Sequence, residues 1–186
     1  MDQVTCCVMD IETTNLNADF GIILCGVIKP ANGKPKVFRG DKLNPNWDRK
    51  RSDDKDVVKA LVEELEKYDI WIIYNGLKFD IAFIRSRLLK HGLSPLGNKK
   101  LIDPVQLARN KLKMSYNSLE KVANHLGCNS KTEIDPDMWL KAALDGDRKA
   151  MSQIVVHCIE DVLTLEKVAN QLKVYSSVFN SQGSGW

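Results

Sequence analysis

The chain is expected to fold as a single α/β domain in which a mixed β-sheet is flanked by helices. Three observations support this. Strand-like runs come first, over residues 4–12, 21–29 and 36–40, and the turn signal Pro-Ala-Asn-Gly-Lys-Pro separates the last two. Such a run suggests an antiparallel meander. Short apolar runs then alternate with helical periodicity, and the final third is dominated by helical patterns. The length, 186 residues, suits one domain. A chain of that size buries roughly 70% of its unfolded surface and needs no staples.

Each element follows from local signals. VTCCVMDIE is rich in strand formers, and GIILCGVIK and KVFRG continue the meander. Residues 41–52 are polar and irregular. Asp53 or Asp54 is placed to cap a helix through VVKALVEELEKY, whose apolar residues recur at helical spacing. DIWIIYN is a continuous apolar run of strand length, the pattern of a strand buried on both faces. Asn75-Gly76 ends it, and a helix follows from about Phe79 until Gly92 stops it. A short strand before Asp103-Pro104 leads into another helix. Ser118 and Gly127 bracket the next one. Residues 128–137 form a polar connection, and Pro136 opens the helix DMWLKAAL. A long helix runs from about Asp147 to Leu172. The expected domain spans residues 1–174, and residues 175–186, polar and rich in small residues, form a frayed tail. No internal repeat or low-complexity region is present.

Composition excludes several classes. Hydrophobic residues at 44% and charged residues at 27% are ordinary globular values. The net charge of +3, from 27 Lys+Arg against 24 Asp+Glu, does not imply nucleic-acid binding by itself. Cys6, Cys7, Cys25, Cys128 and Cys158 are odd in number and include no CxxC pair, so a zinc site is not expected. They read as reduced thiols of an intracellular, cytoplasmic protein. No signal peptide opens the sequence, and its longest apolar stretch, FGIILCGVI, is far shorter than the roughly 20 residues of a membrane helix, so no membrane partner is expected.

Function is concentrated in four acids on three stretches: Asp10 and Glu12 in VMDIETTNL, Asp80 in IYNGLKFDIAFI, and Asp161 in VVHCIEDVLTLE. Each lies in or against an apolar run, where an ionised carboxylate is costly unless it is paired. Those runs hold no matching lysines or arginines. Divalent cations would satisfy all four, and hard oxygen ligands suit Mg²⁺ or Mn²⁺. Two-metal phosphoryl transfer on a nucleic acid is the chemistry that follows. On a strand, Asp10 and Glu12 share one face. On a helix, His157 and Asp161, four apart, do the same. Asp80 sits near a helix N-terminus, where a carboxylate is favoured. Taken singly, each has an ordinary reading: a solvated strand face, an N-cap, an exposed helical acid, a hydrogen-bonded histidine. Their order and context carry the inference.

These motifs resemble those of the DEDD (DnaQ-like) superfamily of 3′–5′ exonucleases, the proofreading-exonuclease fold related to ribonuclease H. Asp10-Ile11-Glu12-Thr13-Thr14 matches the first motif, Tyr74-Asn75-Gly76 with Phe79-Asp80 the second, and His157-Cys158-Ile159-Glu160-Asp161-Val162 the third. LIDPVQLARNKL, YNSLEKVANHLG and WLKAALDGDRKA resemble the helical part of compact, stand-alone members and of family B polymerase proofreading domains. The resemblance spans roughly residues 4 to 172 and implies a ribonuclease H-like sheet, antiparallel in its first three strands and then parallel. One departure stands out. Members with a histidine base place four residues between it and the last aspartate, and members with a tyrosine base place three. Here three residues follow His157, a histidine at the tyrosine spacing.

The resemblance implies two divalent cations. Asp10 would bridge both, Glu12 and Asp161 would complete one site, and Asp80 would hold the second partly through water. His157 would take the proton of the attacking water, a role that a neutral imidazole can fill. Ile11, Thr13, Thr14 and Leu16 would contact the terminal nucleotide, and Asn75 would help orient the groove near Asp80. The implied substrate is the 3′ end of single-stranded DNA or RNA, and the product a 5′-mononucleotide. Replication or repair proteins are conceivable partners. Arg49-Lys50-Arg51, Lys99-Lys100, Arg85, Arg87 and Lys90 are candidates for backbone phosphates. Aromatic content of 7% argues against an extensive stacking platform. Two rival readings share the motifs: a ribonuclease H- or resolvase-like endonuclease, and a catalytically idle nucleic-acid-binding module.

Overall fold

A computed structural model describes residues 4–128 and 134–176. Five strands form one sheet: β1 (Cys6–Thr13), β2 (Ile23–Pro30), β3 (Lys36–Arg39), β4 (Ile70–Ile72) and β5 (Lys100–Ile102). Their order is β3-β2-β1-β4-β5. β1 to β3 pair antiparallel, whereas β4 and β5 add in parallel beside β1. The sheet is therefore the expected mixed one, antiparallel first and then parallel.

Strand parity decides which side chains go where. Cys6 and Val8 enter an apolar layer with Met151, Ile154, Val155, Cys158 and Leu165 of helix α7 (Arg148–Leu172). Cys7, Met9 and Ile11 enter the opposite layer with Val58, Leu61 and Leu65 of α2 (Lys55–Leu65) and Ile81, Ile84 and Leu88 of α3 (Asp80–Lys90). Asp10 and Glu12 continue the row of Cys6 and Val8, so they extend the face that α7 covers. The β1–β2 register shifts between Glu12 and Thr13, an irregularity of the kind that re-aims side chains beside functional sites.

The remaining helices follow their signals. Asp103 caps α4 (Pro104–Lys111) by accepting from the Val105 amide, and Ser118 caps α5 (Leu119–His125) by accepting from that of Lys121. Gly92 and Gly127 stand at φ +62° and +68° where their helices stop. Four details differ from the sequence reading. Residues 41–52 are not wholly irregular, because one helical turn, α1 (Gly40–Leu43), opens them. The apolar run 69–75 pairs over only three residues before the chain leaves the sheet. Asp54 occupies the N-cap position of α2, but its side chain makes no cap hydrogen bond and is spent on Arg87 and His91. DMWLKAAL divides into α6 (Asp137–Leu140) and a wider π turn over Lys141–Asp145, closed by Gly146 at φ +70°. Of the tail expected over residues 175–186, Tyr175 ends a 3₁₀ turn (Lys173–Tyr175) and Ser176 is buried, and the rest lies outside the described residues.

Candidate active site

β1 and α7 bring the first and third motifs together. His157 Nε2 lies 3.6 Å from Asp161 Oδ2 and 3.9 Å from Glu12 Oε1. Cys158 Sγ lies 3.5 Å from Asp10 Oδ2 and donates to that carboxylate. Ligand atoms of Glu12, His157 and Asp161 all fall within 4.8 Å of one another, and so do those of Asp10, Glu12 and Cys158. The four-residue spacing of His157 and Asp161 thus places both side chains over the end of β1.

A tight turn delivers Asp80. Asn75 adopts φ +57°, and its carbonyl accepts from the amides of Lys78 and Phe79 at 3.1 and 3.2 Å. Its own amide donates to Asp103 Oδ1 at 2.8 Å. A Cβ on Gly76 would fall 2.4 Å from the Ile73 side chain, so the turn requires glycine. Asp80 is the first residue of α3, only 2% exposed, and among the described residues its Oδ1 has no hydrogen-bond partner. The described structure places Asn75 as the backbone pivot of this turn.

The electrostatics show what the cluster lacks. Burial holds the Asp10 carboxyl well above the usual range, and the charges of Asp80, Glu12 and Asp161 raise it further. Only the Cys158 thiol opposes them. Burial likewise pushes Asp80 up to about 7, against lowering contributions from the backbone of Asp80 and Ile11. Asp103 adds to the rise. Four acids repel one another here, and a buried carboxylate oxygen is left without a donor. Hard oxygen donors in this arrangement fit divalent cations, which would remove the repulsion and satisfy Asp80 Oδ1.

Beside Glu12 opens a cleft of about 370 Å³ lined by Ile11, Glu12, Thr13, Thr14, Asn15, Leu16, Phe79 and Trp139. It gathers the four residues expected to face a terminal nucleotide, Ile11, Thr13, Thr14 and Leu16. Sequence reasoning missed Phe79 and Trp139 as walls of this space. Phe79 stood within the second motif but was read only as the start of a helix. Trp139 had one usable signal: a tryptophan on a short, polar-flanked helix needs a partner for its indole N–H. That partner is Glu12 Oε2, at 2.9 Å.

The basic candidates divide. Arg87 is fully buried against Asp54, with Nη2 2.6 Å from Oδ1, so it is not available to a phosphate backbone. Arg51 donates to the carbonyls of Ala143 and Leu144 at 3.1 and 2.7 Å, tying its loop to the π turn. Lys99 donates to the Glu66 carbonyl. Arg49, Arg85, Lys90 and Lys100 remain exposed. All five cysteines are free thiols. Among the described residues no helix is long and apolar enough to cross a membrane.

A mixed sheet with acids converging at the end of its central strand, repelling one another and calling for divalent cations, defines a nuclease-type enzyme of the ribonuclease H-like class. A family model described as the RNase_H superfamily matches residues 7–173, and the chain belongs to that family. The chain is 33% identical over 126 residues to the DNA polymerase III PolC-type of Ureaplasma parvum serovar 3, covering 59% of this chain and 9% of that polymerase. Among solved structures it is similar to the family B DNA polymerase of the hyperthermophilic archaeon Pyrobaculum calidifontis. The TM-score is 0.74 at 15% identity, over 92% of this chain and 25% of that one. The chain thus spans a small part of the length of both polymerases. Family membership implies a nucleic-acid substrate and divalent metal ions.

Proposed function

We propose that the protein is a metal-dependent 3′–5′ exonuclease that removes 5′-mononucleotides from single-stranded nucleic acid, DNA in preference to RNA. The observation that carries this reading is the convergence of Asp10, Glu12, Asp80 and Asp161, where the other three charges raise the Asp10 carboxyl, beside a cleft with space for one nucleotide. Two Mg²⁺ or Mn²⁺ ions held by these carboxylates would, when bound, activate water and stabilise the leaving 3′ oxygen. The protein's own residues do the rest. Asp10 would serve both ions, Glu12 and Asp161 would hold one, and Asp80 would hold the other. His157 accepts the proton of the attacking water at Nε2, the nitrogen that faces Glu12 and Asp161. Ile11, Thr13, Thr14 and Leu16 hold the terminal nucleotide, and Asn75 sets the turn that aims Asp80. Similarity to two DNA polymerases supports DNA as the substrate. The resemblance to proofreading domains supports attack from the 3′ end.

The test uses 5′-labelled single-stranded DNA and RNA with Mg²⁺, Mn²⁺ or EDTA, beside Asp10→Ala. A metal-dependent ladder shortening from the 3′ end, absent in the variant, is expected. Internal fragments would replace the exonuclease with a ribonuclease H- or resolvase-like endonuclease. Intact substrate under every condition would leave a nucleic-acid-binding module.

A further inference from the structure

Trp139 belongs to none of the three motifs, yet it touches two of the residues they supply. Its indole N–H donates to Glu12 Oε2 at 2.9 Å. Its ring stands edge-on to that of His157, with centroids 5.9 Å apart and planes at 88°. The same residue lines the cleft together with Thr13, Leu16 and Phe79. The helix that carries it is short, but it is not loosely attached. The π turn that follows is fixed to Arg51 through the Ala143 and Leu144 carbonyls, and Ala142 is fully buried in the core. Asp147 then caps α7 through the Lys149 and Ala150 amides. Trp139 is thus held at a set place relative to the helix that supplies His157 and Asp161. π turns occur often where a helix serves a site rather than the core.

We propose that Trp139 is the positioning residue of the metal site. By holding Oε2 it fixes the rotation of the Glu12 carboxylate with Oε1 towards His157, the oxygen that would serve a bound ion. A ligating carboxylate that is itself hydrogen-bonded is pre-oriented, and loss of such a partner costs metal affinity as well as turnover. The ring has a separate task. As a cleft wall it contacts the terminal nucleotide, so the N–H governs the metal and the ring governs substrate. This deepens the nuclease reading and rests on it.

The two tasks are separated by two variants. Trp139→Phe keeps an aromatic ring in the wall, though a smaller one, and loses the N–H. Mn²⁺ binding without nucleic acid, followed by the electron paramagnetic resonance of the free ion, is expected to weaken roughly 10–100-fold. On a labelled oligonucleotide kcat should fall while KM stays nearly constant, the signature of a lost interaction that does not bind substrate. Trp139→Ala should also raise KM. Equal Mn²⁺ affinity in folded wild type and Trp139→Phe overturns the proposal while leaving the nuclease reading intact. Wild type that takes up no Mn²⁺ overturns both.

Should Trp139→Phe fail to fold, the wild-type protein carries the test. With tryptophan ¹⁵N-labelled, the indole resonance that Mn²⁺ broadens should also shift on addition of Mg²⁺. A resonance unmoved at saturating Mg²⁺, or none broadened by Mn²⁺, overturns the proposal.

Discussion

One carboxylate, Asp54, bonds the first residue of β2, and another set of acids gathers around Asp10 on β1, and the fold treats the two in opposite ways. Asp54 is 1% exposed at its side chain and is fully provided for. It accepts from Arg87 at 2.6 and 2.9 Å, from the Ile23 amide at 2.8 Å, and lies 2.6 Å from His91 Nε2. Arg87 also donates to the Ala18 carbonyl, so the cluster braces the loop that becomes the cleft wall. Asp10 and Asp80 have other acids as charged neighbours, and among the described residues Asp80 Oδ1 has no hydrogen-bond partner. A buried charge without a counter-charge costs several kcal/mol, and the metal ions proposed above would give Asp10 and Asp80 the counter-charge that Arg87 gives Asp54. The difference separates structure from function more sharply than either cluster does alone.

The largest expected effect breaks the comparison from the functional side. Asp10→Asn should reduce turnover at least about a thousandfold, measured as release of mononucleotide from labelled DNA. The same variant should melt higher than wild type without metal, by about 2–4 °C for each kcal/mol of repulsion relieved. Arg87→Met breaks it from the structural side. With Asp54 left buried and uncompensated, chemical denaturation should show a loss of about 3–5 kcal/mol. Any fall in turnover there should track the unfolded fraction and the braced loop.

Metal sharpens the contrast. Mn²⁺ at a hundred times its dissociation constant should add about 2.7 kcal/mol to wild type, read as a rise in Tm. It should add almost nothing to Asp10→Asn. The comparison also depends on pH. Asp80, raised from an ordinary 3.8 to about 7 in the folded protein, holds its proton more tightly there than in the unfolded chain. Between those values the folded state binds more protons, so metal-free stability falls as pH rises from about 4 to 7. Asp80→Asn should flatten that fall in thermal melts. Because Mn²⁺ requires the ionised carboxylates, its stabilisation of wild type should grow over the upper part of the same range.

Much of the site was legible because strand and helix periodicity fix which residues share a face. Two acids separated by one residue on a strand, and a histidine four residues before an aspartate on a helix, must project together. The helix signals at Ser118, Gly92 and Gly127 were equally local, and so was the break at Asp103-Pro104. What sequence did not reveal depends on distant partners. Arg87 looked like a surface cation beside Arg85 and Lys90, and only the packing of α3 against α2 shows it neutralising Asp54. Asp54 looked like an ordinary cap for the same reason. Trp139 is 127 residues from Glu12. Nothing along the chain joins them until the π turn and α7 close over β1.

A calorimetric titration with Mn²⁺ at pH 8, on wild type and on Asp10→Asn, tests the central claim most directly. Saturable uptake of about two ions per chain by wild type, lost in the variant, is the predicted result. Absence of saturable binding, or equal binding by Asp10→Asn, would contradict the claim that these carboxylates are kept for metal.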